Sequence, residues 1–262
     1  MYKTKPKDIE KYIEWLKVNH SVNISKKNRN YYESVSNKIC SDFKTSSFWS
    51  SLIEQFNHIN QEYYLATGFN LFVYDYIPKI DIKSFDSFLL KTYRKNVINN
   101  MNWPSEPEGG WILPSNWYSN VNDIVRTCFV VKYLDGVQFF IEKLQSLCKV
   151  CNLPCIVDYE AKEEGYYAAH TYIKTYSNIP KEDWDTKEIE VLVELQITTQ
   201  LQEVIRKLIH KYYEDRRKNL TKDELKWQWD YKSDEFATNY LGHILHYVEG
   251  MIMAVRDRQE EM

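Results

Sequence analysis

Glycine and proline are scarce. With seven of each in 262 residues, long flexible or proline-stiffened linkers are excluded. The length suits one large domain, or a core with a helical appendage. Cysteine is scarce as well. Five thiols, an odd number, argue against a secreted disulfide scaffold. The basic start, Met1-Tyr-Lys-Thr-Lys-Pro-Lys7, is followed by no apolar segment, so no secretory signal is expected and a reducing, cytoplasmic setting is. No run approaches the roughly 18 apolar residues of a membrane span, so no membrane partner is expected. Neither sign of charge dominates. A net charge of -3 gives no overall attraction to DNA or to an anionic membrane, although a local basic groove stays open. Aromatic residues are abundant, with 21 Tyr and 8 Trp. Such rings serve as core, interface or base-stacking groups, and composition does not distinguish these uses.

Residues 5–65 read as helical. Ile9, Tyr12, Ile13, Leu16 and Val18 form one amphipathic stretch, Tyr31, Val35, Ile39 and Phe43 a second, and Phe48 to Tyr64 a third. Lys26 and Lys27 read as a solvated loop. Leu71 to Ile77 is aromatic and β-branched, which predicts a strand that Pro78 breaks. Residues 96–121 hold a Pro-, Gly- and Trp-rich insert, densest over 102–117, which reads as an ordered loop pinned by its indoles or as a recognition lid. Asp123 lies at the mouth of a strand, and Asp135-Gly136 is expected to turn into a helix from Val137 to Val150. Cys148, Cys151 and Cys155 lack a second ligand pair for zinc and read as structural thiols. Thr198 and Thr199 are expected to open a helix to about Arg217, locally basic through Arg206, Lys207, Lys211, Arg216 and Arg217. A last helix from about Ser233 to Arg258 should turn Phe236, Tyr240, Ile244, Val248, Met251 and Val255 inward. His243 and His246 on it suggest packing or capping.

Four short patterns carry chemistry. Lys83, Ser87 and Lys91 are spaced by four, so one helical face would offer two charges and a hydroxyl to a polyphosphate; a solvated face is the ordinary use of such spacing. Asp123 at a strand end is a place for magnesium, or a turn residue. Residues 155–200 read as strand, turn, strand, connection, strand. Gly165-Tyr166 and His170 lie in the hairpin, and the strand Ile189 to Ile197 carries Glu194 and Gln196 on one face. A carboxylate within an apolar run is a costly core group or part of a site, and the second reading is preferred here.

In that order the patterns resemble the RelA/SpoT synthetase domain, the pyrophosphokinase fold of the alarmone synthetases. The resemblance covers residues 80–200. It implies an α+β fold: a mixed sheet of about five strands with helices on its faces, nucleotidyltransferase-like, with helical extensions at both ends. The expected divisions are 1–68 helical, 69–200 synthetase core and 201–262 C-terminal helices packed on the core. By the resemblance, Lys83, Ser87 and Lys91 bind the phosphates of ATP. Asp123 and Glu194 are catalytic and hold magnesium, Glu194 as metal partner or base. Tyr166 stacks on the acceptor base, with His170 and Gln196 beside it. The implied reaction moves the β,γ-pyrophosphate of ATP to a ribose 3′-hydroxyl.

The chain departs from the family where basic residues are usual. Asp81 stands for an arginine, Asp123-Ile-Val-Arg126-Thr-Cys128 for Asp-x-x-Gly-x-Arg, Gly165-Tyr-Tyr-Ala-Ala-His170 for Gly-Tyr-Arg-Ser-Leu-His, and Thr198 for an arginine. Arg126 replaces one lost contact, and Arg94 or Lys95 another. The acceptor is GDP, GTP or an adenine nucleotide, or else the 3′ end of tRNA, as in toxic small synthetases of toxin–antitoxin or phage-defence loci. The lost arginines and the Trp-rich insert fit tRNA better, because the 5′ phosphates of a free nucleotide call for those charges. The resemblance implies a small stand-alone synthetase, with an antitoxin protein as a partner on the toxic branch. The alternative is an inactive synthetase-fold module that binds a nucleotide or a protein.

Overall fold

The computed structural model describes residues 4–180, 185–208 and 226–260. Two compact units interleave along the chain. One comprises Met1–Thr45, Ile80–Arg126 and Lys174–Glu194, and the other Ser46–Lys79, Thr127–Ile173 and Leu195–Met262. The strands are β1 (Asp81–Ile82), β2 (Val125–Val131), β3 (Cys155–Ala161), β4 (Tyr167–Pro180) and β5 (Thr186–Thr199). They form one mixed five-stranded sheet in the order β1-β2-β5-β4-β3.

The first unit begins with α1 (Ile9–His20) and α2 (Lys26–Lys44). Asp8 caps α1 by accepting from the Lys11 amide at 2.8 Å, and Ser21 ends it in the left-handed region. Ser25 and Asn28 form a capping box, so Lys26 and Lys27 open α2 and do not sit in a loop as expected. Tyr32, Val35, Ile39 and Phe43 are its buried stripe, with Tyr32 in the place expected for Tyr31. Helix α4 (Phe85–Tyr93) packs against α1 and α2 and runs into a π-turn, Arg94–Ile98. The insert is ordered. Asn96 donates to Ile112 O and accepts from Ile112 N, both at 2.9 Å. Trp103 and Trp111 close on Trp15 at centroid distances of 5.3 and 4.9 Å. Helix α5 (Trp117–Asn120) buries Trp117 against Phe85 and Phe88.

The second unit pairs α3 (Ser47–Thr67) with α6 (Leu134–Val150) around Phe56, Phe72, Phe129 and Phe140. The expected strand over Leu71–Ile77 shrinks to a bridge between Phe72 and Val131. Asn60 Oδ1 takes the amides of Leu71 and Phe72 at 2.9 and 3.4 Å, while Val73 N still donates to Val130 O at 3.0 Å. Helix α6 starts at Leu134, three residues before the expected start. Gly136 lies inside it because a Cβ there would come 2.9 Å from Leu71 Cδ1, so this glycine serves packing and not a turn. All five cysteines are free thiols.

Helix α7 covers 200–208 in the described residues. Its expected continuation to Arg217, with Lys211, Arg216 and Arg217, lies outside them, as do residues 181–184 of the connection between β4 and β5. Helix α8 (Asp234–Glu260) reverses the expected sidedness. Its buried residues are Asn239, Gly242, Glu249 and Arg256, while Tyr240, Ile244, Met251 and Val255 are 39–56% exposed. The physical reason is what it meets. Arg256 pairs with Asp135 and donates to Tyr63 Oη at 3.1 Å, and a buried cation needs such partners. No helix among the described residues is long and apolar enough to cross a membrane.

Candidate functional site

In the first unit the antiparallel pair β1–β2 brings distant residues together. Asp81 opposes Arg126, Ile82 opposes Val125, and the Lys83 amide donates to Ile124 O at 2.8 Å. This register sets the Lys83 side chain beside Asp123. Lys83 Nζ lies 2.8 Å from Asp123 Oδ2, and Lys91 Nζ, from α4, lies 2.8 Å from Oδ1. Tyr32 Oη donates to Lys83 O at 2.8 Å and fixes the backbone from behind. Lys83 precedes α4 and does not share its face, so the expected single helical face is replaced by a helix and its approach strand.

The triad is largely sheltered, with side-chain exposures of 8% for Lys83, 14% for Asp123 and 25% for Lys91. Burial by itself would raise the Asp123 pKa. The charges of Lys91 and Lys83 outweigh that and hold the carboxyl well below the usual carboxylate range. Burial pulls Lys83 down from the ordinary lysine value, partly opposed by Asp123, and Arg126 and Lys91 act on it as like charges. Burial, then Lys91, also lower Lys95. Lys83, Lys91, Lys95 and Arg126 thus act on one another or on a single carboxylate. In a chain of net charge -3 this is a local excess of positive charge suited to an anion.

The other expected residues of this half have their own places. Ser87 is exposed in the first turn of α4, its hydroxyl 3.0 Å from the Ser84 hydroxyl that caps the helix. Arg94 opens the π-turn, half-buried. Arg126 is exposed on β2. Glu194 is 6% exposed on β5, whose odd-numbered residues from Ile189 to Ile197 are all buried, so Glu194 and Gln196 share the other face as the alternation predicts.

In the second unit β3 and β4 form the expected hairpin, with Asp158 opposite His170 and Ala161 opposite Tyr167. Three expected residues meet there. Tyr166 Oη is 3.2 Å from His170 Nε2, and Gln196 Nε2 donates to Tyr166 Oη. Two participants were missed in the sequence. Glu160 Oε2 lies 3.3 Å from His170 Nε2, and Lys162 Nζ sits 5.0 Å over the Tyr166 ring. The hairpin register is the signal that finds Glu160, since residues 158, 160 and 170 fall on one face. An aromatic ring with an adjacent cation, imidazole and carboxamide can stack on a base and hydrogen-bond its edge.

No family model matches the sequence, and no curated protein matches it. Solved structures do match. A GTP pyrophosphokinase family protein from Streptococcus pneumoniae aligns over 90% of this chain and 94% of its own, at 14% identity and a TM-score of 0.53. Small alarmone synthetase 1 from Bacillus subtilis, bound to its product pppGpp, aligns over 80% of this chain and 92% of its own, at 15% identity and a TM-score of 0.51. The same synthetase bound to AMPCPP aligns over 81% and 92%, at 15% identity and a TM-score of 0.51. At such identities the likeness is one of fold. The chain has the RelA/SpoT-type fold of the small alarmone synthetases, α+β with a mixed, open five-stranded sheet.

Proposed function

We propose that this chain is an ATP-dependent pyrophosphokinase that works in the cytoplasm. The observation that carries the proposal is the cation cluster around Asp123 in a fold shared with alarmone synthetases. Lys83, Lys91, Arg126, Arg94 and the Ser87 hydroxyl bind the triphosphate. Binding a polyanion compensates the excess charge, so these side chains would stabilise the charge that develops on the transferring group.

The donor chemistry of Asp123 and Glu194 fits magnesium, which takes oxygen ligands and is usually held by one or two carboxylates plus substrate phosphates. Asp123 is ionised at any physiological pH, as a ligand must be. Bound there, the ion would neutralise phosphate charge. In the transfer, the acceptor 3′-hydroxyl oxygen bonds to the β-phosphorus, the bond from that phosphorus to the α,β-bridging oxygen breaks, and AMP leaves. Glu194 takes the hydroxyl proton. Tyr166, His170 and Gln196 bind the acceptor base.

The acceptor is a nucleotide or the 3′ end of tRNA, and the second would make the chain a growth-inhibiting toxin with an antitoxin protein as partner. Incubation with γ-labelled ATP and separate acceptors tests this. Label on GDP, GTP or an adenine nucleotide selects the alarmone reading, and label on tRNA alone selects the toxin reading. No transfer to any acceptor, or full transfer by Glu194→Gln, sinks both.

A second reading has its own support. Both Asp123 oxygens are engaged by lysines, as in a module that binds nucleotide or protein without turnover. It expects nucleotide binding without transfer.

A further inference from the structure

The turn that carries Tyr166 is held from outside the hairpin, by helix α8. Gly165 adopts φ +75°, and a Cβ there would lie 2.3 Å from Asn239 O. A Cβ on Gly242 would lie 2.3 Å from Gly165 O. The two backbones therefore touch at paired glycines, and no side chain fits between them. On one side of this contact His243 bridges the turn. Its Nε2 is 2.9 Å from Glu163 O, and its Nδ1 is 2.8 Å from Tyr167 Oη. A carbonyl oxygen only accepts, so Nε2 carries a proton, and in that tautomer Nδ1 accepts from the Tyr167 hydroxyl. The Tyr167 ring stacks on His246 at 3.8 Å and 11°. His246 Nδ1 in turn lies 3.2 Å from Glu249 Oε2, and Glu249 accepts from Thr199 at the end of β5.

Residues 163, 165 and 167 are thus all fixed by one helix, and Tyr166 lies between them. These contacts reach the residues on either side of Tyr166, so the helix holds the turn that carries the ring, while His170 and Gln196 hold its hydroxyl and Lys162 lies over its face. Tyr167 stands where the synthetase pattern has an arginine, and His243 and His246 give that substitution a use.

We infer that α8 is a working part of the acceptor side, with His243 as a positioning residue that pre-orders the turn so that Tyr166 and His170 meet the acceptor base without a folding step. This rests on the proposed role of Tyr166. Ordering before binding removes an entropy cost that the ligand would otherwise meet, so the effect belongs in acceptor affinity.

The test compares the full chain with His243→Ala, His243→Gln and, as a control on the exposed side of α8, Ile244→Ser. Pyrophosphate transfer from ATP is followed for each, together with amide hydrogen exchange over residues 162–167. His243→Ala is expected to raise acceptor KM by about tenfold, with ATP KM and kcat at saturating acceptor unchanged, and to speed exchange in the turn. His243→Gln should recover most of both, because its carboxamide donates to Glu163 O and accepts from Tyr167. Ile244→Ser should behave as wild type. An unchanged acceptor KM in His243→Ala overturns the inference. So does a loss in which both KM values and kcat move together with melting temperature and glutamine rescues nothing. A wild-type chain that transfers to no acceptor overturns the reading of Tyr166 and the positioning role with it. The exchange data then show separately whether the clamp itself stands.

Discussion

Asp123 joins Lys83 and Lys91 at one carboxylate, and its stability effect is separable from its chemistry. Its folded pKa is depressed while its unfolded pKa is near 4. It therefore contributes stability that is present above about pH 4 and lost as the pH falls below that value. Asp123→Asn should remove this acid limb. At pH 7 it should also cost about 3 kcal/mol, because Lys83 stays buried without its counter-charge. Urea unfolding across pH 3–7 measures both; an unchanged acid limb in the variant would show the triad to be electrostatically idle. Tyr118 is the opposite case. Its hydroxyl is buried and finds no hydrogen-bond partner among the described residues, and burial pushes its pKa far up. Tyr118→Phe should stabilise the chain by about 1 kcal/mol, seen as a melting temperature a few degrees higher.

The hairpin β3–β4 and helix α8 illustrate two kinds of legibility. The hairpin was readable because Gly165 marks a turn between alternating segments, and the alternation around Ile189, Val191 and Val193 placed Glu194 and Gln196 on one face. Helix α8 was readable as a helix and not as a surface. Its apolar stripe suggested an inward face, yet the chain buries Asn239, Gly242, Glu249 and Arg256. That choice follows from partners on other elements, namely Gly165, Thr199, Asp135 and Tyr63, which periodicity along one helix does not contain. The glycine pair makes a prediction for this packing. Gly165→Ala meets both a positive φ and a backbone oxygen, so it should cost roughly 2–3 kcal/mol. A calorimetric scan matching wild type would mean that the two backbones do not lie in contact.

Taken across its full length, the molecule is mildly acidic, with positive charge gathered near one carboxylate. A ligand that binds there should stabilise the folded chain by mass action. A non-hydrolysable ATP analogue at a hundred times its Kd should add about 2.7 kcal/mol and raise the melting temperature by roughly 5–10 °C. Lys91→Met should abolish that shift and also lower the variant's own melting temperature, because the sheltered Asp123 carboxylate loses one of its two lysine partners. An equal shift in the variant would move the triphosphate away from this cluster. The same measurement separates a binding module from an enzyme, since both shift and only one transfers.

The sequence alone determined the kinds of element and the order of the chemical patterns, because hydrophobic period and turn residues act over a few neighbours. Lys83, Lys91 and Asp123 could be named from the chain, and so could Tyr166, His170, Glu194 and Gln196. Only tertiary structure decided which of them meet. Lys83 reaches Asp123 across 40 residues through the register of a two-residue strand, and His243 reaches Tyr167 across 76. Such contacts depend on which element lies opposite, a choice made by the sum of packing and polar satisfaction over the folded chain and written in no single segment.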